Sequence, residues 1–286
     1  MPEETSRLPV VAGLDGSQVS VRAARFAAET ARRRGVALRL VHASLDVAEL
    51  LGTRADLTLQ SVAASLMATC SPVRVDWTVE QGDPVDVLRS ASARASLVVV
   101  GGQGAGGRTA PRVGSTAGAL ASSAEAPVIV LPDNTTSIVV RGRRSVVVGV
   151  DGHPSADAVL AFAFAEAAAR RTDLVAVHTW RDISPARFET DGPVIDWAAA
   201  RADEERLLSD SLHGWEQAWP DVVVREVIAR GRAASSLLAA GLTAELLVIG
   251  HRRRGPFATL RSTTRAVLRQ ATGPVAVVPI RPGGQT

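Results

Sequence analysis

The sequence contains no lysine and no tyrosine, one cysteine, and few aromatic residues of any kind. Each shortage excludes something. A Walker-type phosphate loop needs its Gly-Lys-Ser/Thr, so that class of NTPase is ruled out. With Cys70 alone, no intramolecular disulfide can form, and five scattered histidines show no metal-ligand spacing. Cys70 follows an Ala/Leu/Met-rich helical pattern and reads as a small buried or half-buried apolar residue. Aromatics at 3% leave little to interleave with a basic face, which argues against nucleic acid as a partner. The pI near 10.5 does not reverse this, because every basic residue is Arg and the formal net charge is only +3. All-Arg usage beside abundant Ala, Gly and Val looks like the coding bias of a GC-rich genome. No run approaches the roughly 18 consecutive apolar residues of a membrane span, so no membrane partner is expected. The opening Met1-Pro2-Glu3-Glu4-Thr5 is acidic and lacks the apolar stretch of a signal peptide, so the expected compartment is cytoplasmic.

What is present is a repeat. The 286 residues are 46% hydrophobic, enough for one large domain or two of about 140 residues. Val10-Val11-Ala12-Gly13-Leu14-Asp15-Gly16 returns as Val146-Val147-Val148-Gly149-Val150-Asp151-Gly152. An Ala-rich amphipathic stretch with arginines near its end follows each. Leu97-Val98-Val99-Val100-Gly101 returns as Leu246-Leu247-Val248-Ile249-Gly250, and both copies close on a Pro-flanked run, Val128 to Leu131 and Val275 to Val278. The offset is 136 residues at the Asp and 149 at the later Gly, so the second copy carries about thirteen extra residues, placed around Trp180 to Trp197. The expected domains are 1–135 and 145–286, with a polar linker over roughly 133–144.

Within each copy the order reads β-α-β-α-β-α-β-α-β. The strands are continuous Val/Leu/Ile runs, which suit a parallel sheet buried on both faces. They fall near 9–14, 37–43, 73–79, 97–101 and 128–131, then 145–150, 173–179, 222–228, 246–250 and 275–279. The predicted fold is α/β: two tandem open doubly wound parallel-sheet domains of five strands each. Such sheets bind ligands beyond the carboxyl ends of their strands, where the strand order switches. There Asp15, Ala43 and Gly101 should converge. His42 and His178 lie inside apolar runs and read as core histidines.

The segment richest in chemistry runs from Gly101 to Thr116, between a buried strand and a helix. Gly101 and Gly104 allow close backbone approach and positive φ, and successive N–H groups can form an anion-holding concavity. Gly114-Ser115-Thr116 opens a helix whose free N–H groups favour phosphate, with Ser115 either capping that helix or donating to a phosphate oxygen. The same residues also fit a Gly-rich surface loop with a capped helix, and Asp15-Gly16-Ser17 fits a turn and helix start.

The spacing Gly, two residues, Gly, nine residues, Gly-Ser, after the fourth strand of a domain whose first strand ends in Asp, resembles the ATP-binding branch of the universal stress protein family. The resemblance covers nearly the whole chain, twice. It implies that Asp15 lies near the adenosine, Ala43 beside the adenine, and Val100 and Gly101 along the nucleotide. Gly104, Gly114, Ser115 and Thr116 would then form the phosphate cradle. The implied cofactor is ATP or a related adenine nucleotide, with or without Mg2+. The fifth strands of family members pair across a two-fold axis, so the two copies should form an internal pseudo-dimer; a homodimer of the chain is a further option.

The second copy departs from the pattern. Asp151 and Gly250 are kept, Arg253 replaces the second glycine, Thr263 replaces the third, and Thr264 keeps the hydroxyl. A Cβ at these positions fills space meant for phosphate. Asp151, Gly250, Arg253 and Thr264 therefore outline a weakened or lost second site, in which an Arg cluster could still grip phosphate by charge. Three functions remain open: a nucleotide-binding stress or regulatory module that is not an enzyme, a slow hydrolase of the adenine nucleotide α-hydrolase-like class, and a dimerisation scaffold.

Overall fold

The computed structural model describes residues 8–45, 53–104, 113–133, 145–152, 157–180, 197–252, 260 and 262–280. The first copy is built from β1 (Val10–Gly13), α1 (Gln18–Arg34), β2 (Leu38–Ser44), α2 (Thr53–Thr69), β3 (Val75–Gln81), α3 (Pro84–Ser92), β4 (Leu97–Gly101), α4 (Ser115–Ser123) and β5 (Val128–Leu131). The second repeats it as β6 (Ser145–Val150), α5 (Asp157–Arg170), β7 (Asp173–Trp180), α6 (Trp197–Ala218), β8 (Val224–Arg230), α7 (Ala233–Gly241), β9 (Leu246–Arg252), α8 (Ser262–Gln270) and β10 (Val275–Ile280). The ten expected strands are all found, with ends shifted by one or two residues. The linker and the extra residues between Trp180 and Trp197 lie outside the described residues.

Local signals explain the first helix. Ser17 caps α1 by accepting from the Ser20 N–H at 3.1 Å, and Gly35 ends it in the left-handed conformation at φ 67°. Arg32, Arg33 and Arg34 in its last turn complement the helix dipole. Ala23, Ala27 and Ala31 recur every fourth residue and are fully buried, as are Ala24 and Ala28. Such small side chains let α1 lie close on the sheet.

The strands form one sheet in the order β3-β2-β1-β4-β5-β10-β9-β6-β7-β8. Pairing within each copy is parallel, and the switch in strand order falls between β1 and β4, and again between β6 and β9. Apolar clusters cover both faces: α1, α2, α5 and α6 pack on one, and α3, α4, α7 and α8 on the other. Both clusters contain residues of both copies, so the core runs through the junction.

That junction is antiparallel. Val275, Ala276 and Val277 of β10 pair with Val130, Ile129 and Val128 of β5. Of the prolines that flank the two closing runs, Pro279 lies inside β10 and pairs in register with His251 of β9. Continuing the antiparallel register would oppose Pro127 to Val278 and Pro274 to Leu131. It is therefore the prolines before each run that limit the ladder, since neither can donate an N–H.

Helices α1 and α5 meet over the same junction. The Arg34 guanidinium lies 5.3 Å from the Phe162 ring centroid, and that of Arg170 lies 5.7 Å from Phe26. These pairs obey the 136-residue repeat, so each copy stacks its arginine on the other's phenylalanine. Glu166, fully buried, breaks the symmetry: it bonds both Arg34 and Arg170, whereas the matching residue of the first copy is Thr30. Arg33 and Arg170 also both reach Glu245, at 2.7 and 3.4 Å.

Candidate nucleotide site

The parallel register brings three strand ends together. Val10 is level with Leu38 of β2 and Leu97 of β4, so Asp15, Ala43 and Gly101 emerge at one edge of the sheet. Two hydrogen bonds fix the backbone there: the Leu14 N–H donates to the Val41 carbonyl at 2.9 Å, and His42 Nδ1 lies 2.8 Å from the Leu14 carbonyl. A carbonyl only accepts, so His42 carries its proton on Nδ1 in this contact. His178 makes the same contact with Val150 at 2.8 Å. Both histidines thus pin the end of a first strand, which accounts for their place in apolar runs.

Asp15 is exposed, and its Oδ1 accepts from the Ser17 N–H at 3.0 Å. Gly16 turns the chain at φ 81°. The turn reading and the site reading of Asp15 therefore coexist, because its other oxygen faces the glycine loop. A β-carbon placed on Gly104 would lie 2.8 Å from Asp15 Oδ2. The far side of the loop folds onto the near side: the Gly114 N–H donates to the Gly102 carbonyl at 2.6 Å, and the Gly102 N–H to Leu131 at 2.6 Å. A β-carbon on Gly114 would stand 3.3 Å from the Gly102 oxygen. Gly102, Gly104 and Gly114 are thus gathered beside Asp15, and Ser115 begins α4 with its side chain exposed.

Two expectations change in detail. None of Gly101, Gly104 and Gly114 has a positive φ; what requires glycine at these positions is space. A β-carbon on Gly101 would stand 2.9 Å from Val19 Cγ1, so this glycine serves the packing of α1 on β4. Ser115 does not cap α4: Gly114 occupies the cap position and makes no side-chain bond. Val100 is 5% exposed, with its side chain against Gly13 and Leu88, so it can offer a ligand only its backbone. Ala43 and Thr116 are partly exposed at the same edge.

The second copy presents the same edge with other residues. A cavity of about 310 Å3 opens between the ends of β6, β7 and β9, and Asp151, Gly250, Thr263 and Thr264 line it. Arg253 lies outside the described residues. Gly250 again serves packing, since a β-carbon there would meet Ile280 at 2.7 Å and Val159 at 2.9 Å. Arg252, which the glycine motif does not include, donates to Asp151 Oδ2 at 2.9 Å. Its counterpart in the first copy is Gln103, a difference visible once the repeats are aligned. Glu204 of α6 also falls outside every sequence motif; it lies 2.8 Å from His178 Nε2, and no local spacing announces that contact.

A profile of the universal stress protein family matches residues 7–132 and 142–279. The chain belongs to the universal stress protein family. It is 31% identical over 310 aligned positions to the universal stress protein Rv1996 of Mycobacterium tuberculosis, covering 98% of both chains. It is 32% identical over 297 positions to the universal stress protein Rv2623 of the same organism, covering 97% of this chain and 98% of that one. Among solved structures, a universal stress protein from Archaeoglobus fulgidus superposes with a TM-score of 0.69 over 96% of this chain and 97% of its own, at 19% identity. That likeness concerns the fold. Among the described residues, no helix is long and apolar enough to cross a membrane.

Proposed function

We propose that the first copy binds ATP or a related adenine nucleotide, with or without Mg2+, and that the protein acts through this occupancy as a cytoplasmic stress-response regulator, without appreciable turnover. The observation that carries this reading is the approach of Gly104 to Asp15, where a β-carbon would come within 2.8 Å of the carboxylate. Only glycine leaves a backbone surface open beside the acid. Gly114, held against Gly102, supplies a second bare stretch at the start of α4. Backbone N–H groups and a helix start are the natural partners of phosphate. In this reading Asp15, just beyond β1, takes a hydroxyl of the sugar, and Ala43 near the end of β2 lies beside the flat base.

The test is calorimetric titration of the full chain with ATP, repeated on Gly114→Val. The variant should lose one site, because a β-branched side chain crowds the Gly102 carbonyl. Undiminished binding by Gly114→Val would place the site elsewhere. Phosphate release measured beside it should stay far below the roughly 1–10³ s⁻¹ of typical enzymes. Release above one per second, lost in Asp15→Ala, would make the protein a hydrolase instead.

A further inference from the structure

The β5–β10 pairing uses up one edge of each copy, so the sheet ends on β3 at one side and on β8 at the other. Each of these strands is paired on one side only, among the described residues. On β8 the Val223 carbonyl accepts from the Leu174 N–H at 2.9 Å, and the Gly231 N–H donates to the Trp180 carbonyl at 3.0 Å. Residues along a parallel ladder turn their backbone groups to alternate sides. Val223, Arg225, Val227, Ala229 and Gly231 therefore bond inward to β7. Val224, Glu226, Ile228 and Arg230 turn their N–H and C=O outward, where no described strand takes them. Such an edge is a template for another strand unless charge or shape guards it.

The first copy guards its edge and the second does not. Thr78 of β3 and Val227 of β8 hold matching positions, and a two-fold axis through either would lay that strand antiparallel on the same strand of another molecule. On β3 the axis sets Asp76 directly opposite Glu80 of the other molecule, and the reverse, so like charges meet on one face. On β8 the same positions are Arg225 and Ala229, so a charge meets only a methyl group. Val227, 39% exposed, meets its own copy on the axis, and Val223, 60% exposed, meets the bare Gly231. The other face adds charge complementarity. Glu226 is exposed; burial raises its pKa, and so do Glu216 and Glu205 of α6. Arg230 is exposed too, with its guanidinium 4.5 Å from the Trp197 ring centroid. Across the axis each Glu226 falls diagonal to Arg230 of the other molecule, within reach of long side chains. A contact of β3 with β8 would set Glu80 against Arg225, but Arg225 already donates to Asp173, and head-to-tail pairing gives an open filament instead of a closed pair.

We propose that β8 is a homodimer interface: a second molecule of this chain pairs its own β8 antiparallel on this edge, centred on Val227, and the sheet runs on from one molecule into the other. The contact is isologous, so it closes at two molecules. The β3 edges stay at the outer ends, guarded by Asp76 and Glu80. The pairing does not depend on what either copy binds.

The experiment is sedimentation velocity of the full chain over a concentration series, which should show a reversible monomer–dimer equilibrium. Val227→Lys puts two cations on the axis and should weaken the dimer at least tenfold. Its side chain is exposed, so the melting temperature of the dilute monomer should not move, and lost pairing cannot be blamed on misfolding. Val227→Cys should give a disulfide-linked dimer under a mild oxidant, because the two side chains face each other in a non-hydrogen-bonded pair, the closer kind. Thr78→Cys should not, and neither should the parent, whose one cysteine, Cys70, is buried. A chain that stays monomeric at every concentration, or oligomers that keep growing past the dimer, would overturn the proposal. So would a dimer indifferent to Val227→Lys, no cross-link in Val227→Cys, or equal cross-linking in Thr78→Cys.

Discussion

Arg34, the last residue of α1, donates from Nε to Glu166 Oε1 of α5 at 2.9 Å, across the boundary between the copies. Arg170 bonds the same carboxylate from its own helix, and Arg170 and Glu166 have side chains only 1% and 0% exposed. Burial, with a smaller contribution from the Arg33 charge, pulls the Arg170 pKa below its ordinary value, against the carboxylates of Glu166 and Glu245 that support the charged form. Removing Glu166 strands that charge. Glu166→Ala should destabilise the whole chain by about 3–5 kcal/mol. Thr30→Ala, at the matching position of the first copy, should cost only about 1 kcal/mol, since it breaks one bond to the Phe26 carbonyl. Urea denaturation of the two variants checks the difference; equal costs would deny Glu166 its special place.

Gly101 and Gly104 belong to one motif and should fail differently. An alanine at Gly101 meets Val19 at 2.9 Å in the packed face of α1, and should cost about 1–3 kcal/mol of stability. Among the described residues, an alanine at Gly104 meets only the end of the Asp15 side chain, which can swing aside. Gly104→Ala should therefore change stability by less than about 1 kcal/mol while weakening ATP at least tenfold. Thermal melts and titrations of both variants read the two effects separately.

The β5–β10 ladder joins the two halves in one sheet. Ile129 is fully buried opposite Ala276. A carboxylate there has no partner, so Ile129→Asp should destabilise both halves by more than about 3 kcal/mol and expand the particle in small-angle scattering. An unchanged scattering profile, with both halves still folded, would mean that the halves do not depend on this pairing.

Acid should loosen the junction. Glu29 accepts from Arg32 and Arg33, and Arg33 bridges on to Glu245 of the second copy. Its pKa is lowered to about 2, chiefly by the hydrogen bond from Arg32, with burial opposing and Arg33 assisting. A depressed carboxylate pKa contributes stability that is complete above the unfolded value near 4.5 and lost as pH falls toward 2. Screening of this partly exposed cluster limits the contribution to about 1 kcal/mol. Stability measured from pH 6 to pH 2.5 should decline less in Glu29→Gln than in the parent; identical slopes would show that the cluster does not matter.

The strands, the repeat and the outline of the candidate first site were legible because each rests on a short-range rule. Continuous Val/Leu/Ile runs mark buried parallel strands, and Asp-Gly-Ser marks a turn with a capped helix. Gly104 and Gly114 stood out by spacing alone. Their reason did not: the structure gives ordinary φ, with a β-carbon crowded against the Asp15 carboxylate at Gly104 and against the Gly102 carbonyl at Gly114. Room is set by what packs opposite, here Asp15 and the Gly102 carbonyl, and neither is a sequence neighbour.

The sequence by itself determined two α/β copies, their strand order in the chain, and an unequal pair of glycine loops. The tertiary structure decided what crosses between parts. The reciprocal stacking of Arg34 on Phe162 and Arg170 on Phe26, and the choice of Glu166 as their shared acceptor, need α1 and α5 brought together by a strand pairing more than a hundred residues apart. The Arg252–Asp151 pair likewise depends on which strand ends are neighbours in the sheet. Backbone periodicity is a local property that a chain carries along its length. Charge pairing and free space belong to the three-dimensional arrangement of distant segments, and only the folded sheet fixes them.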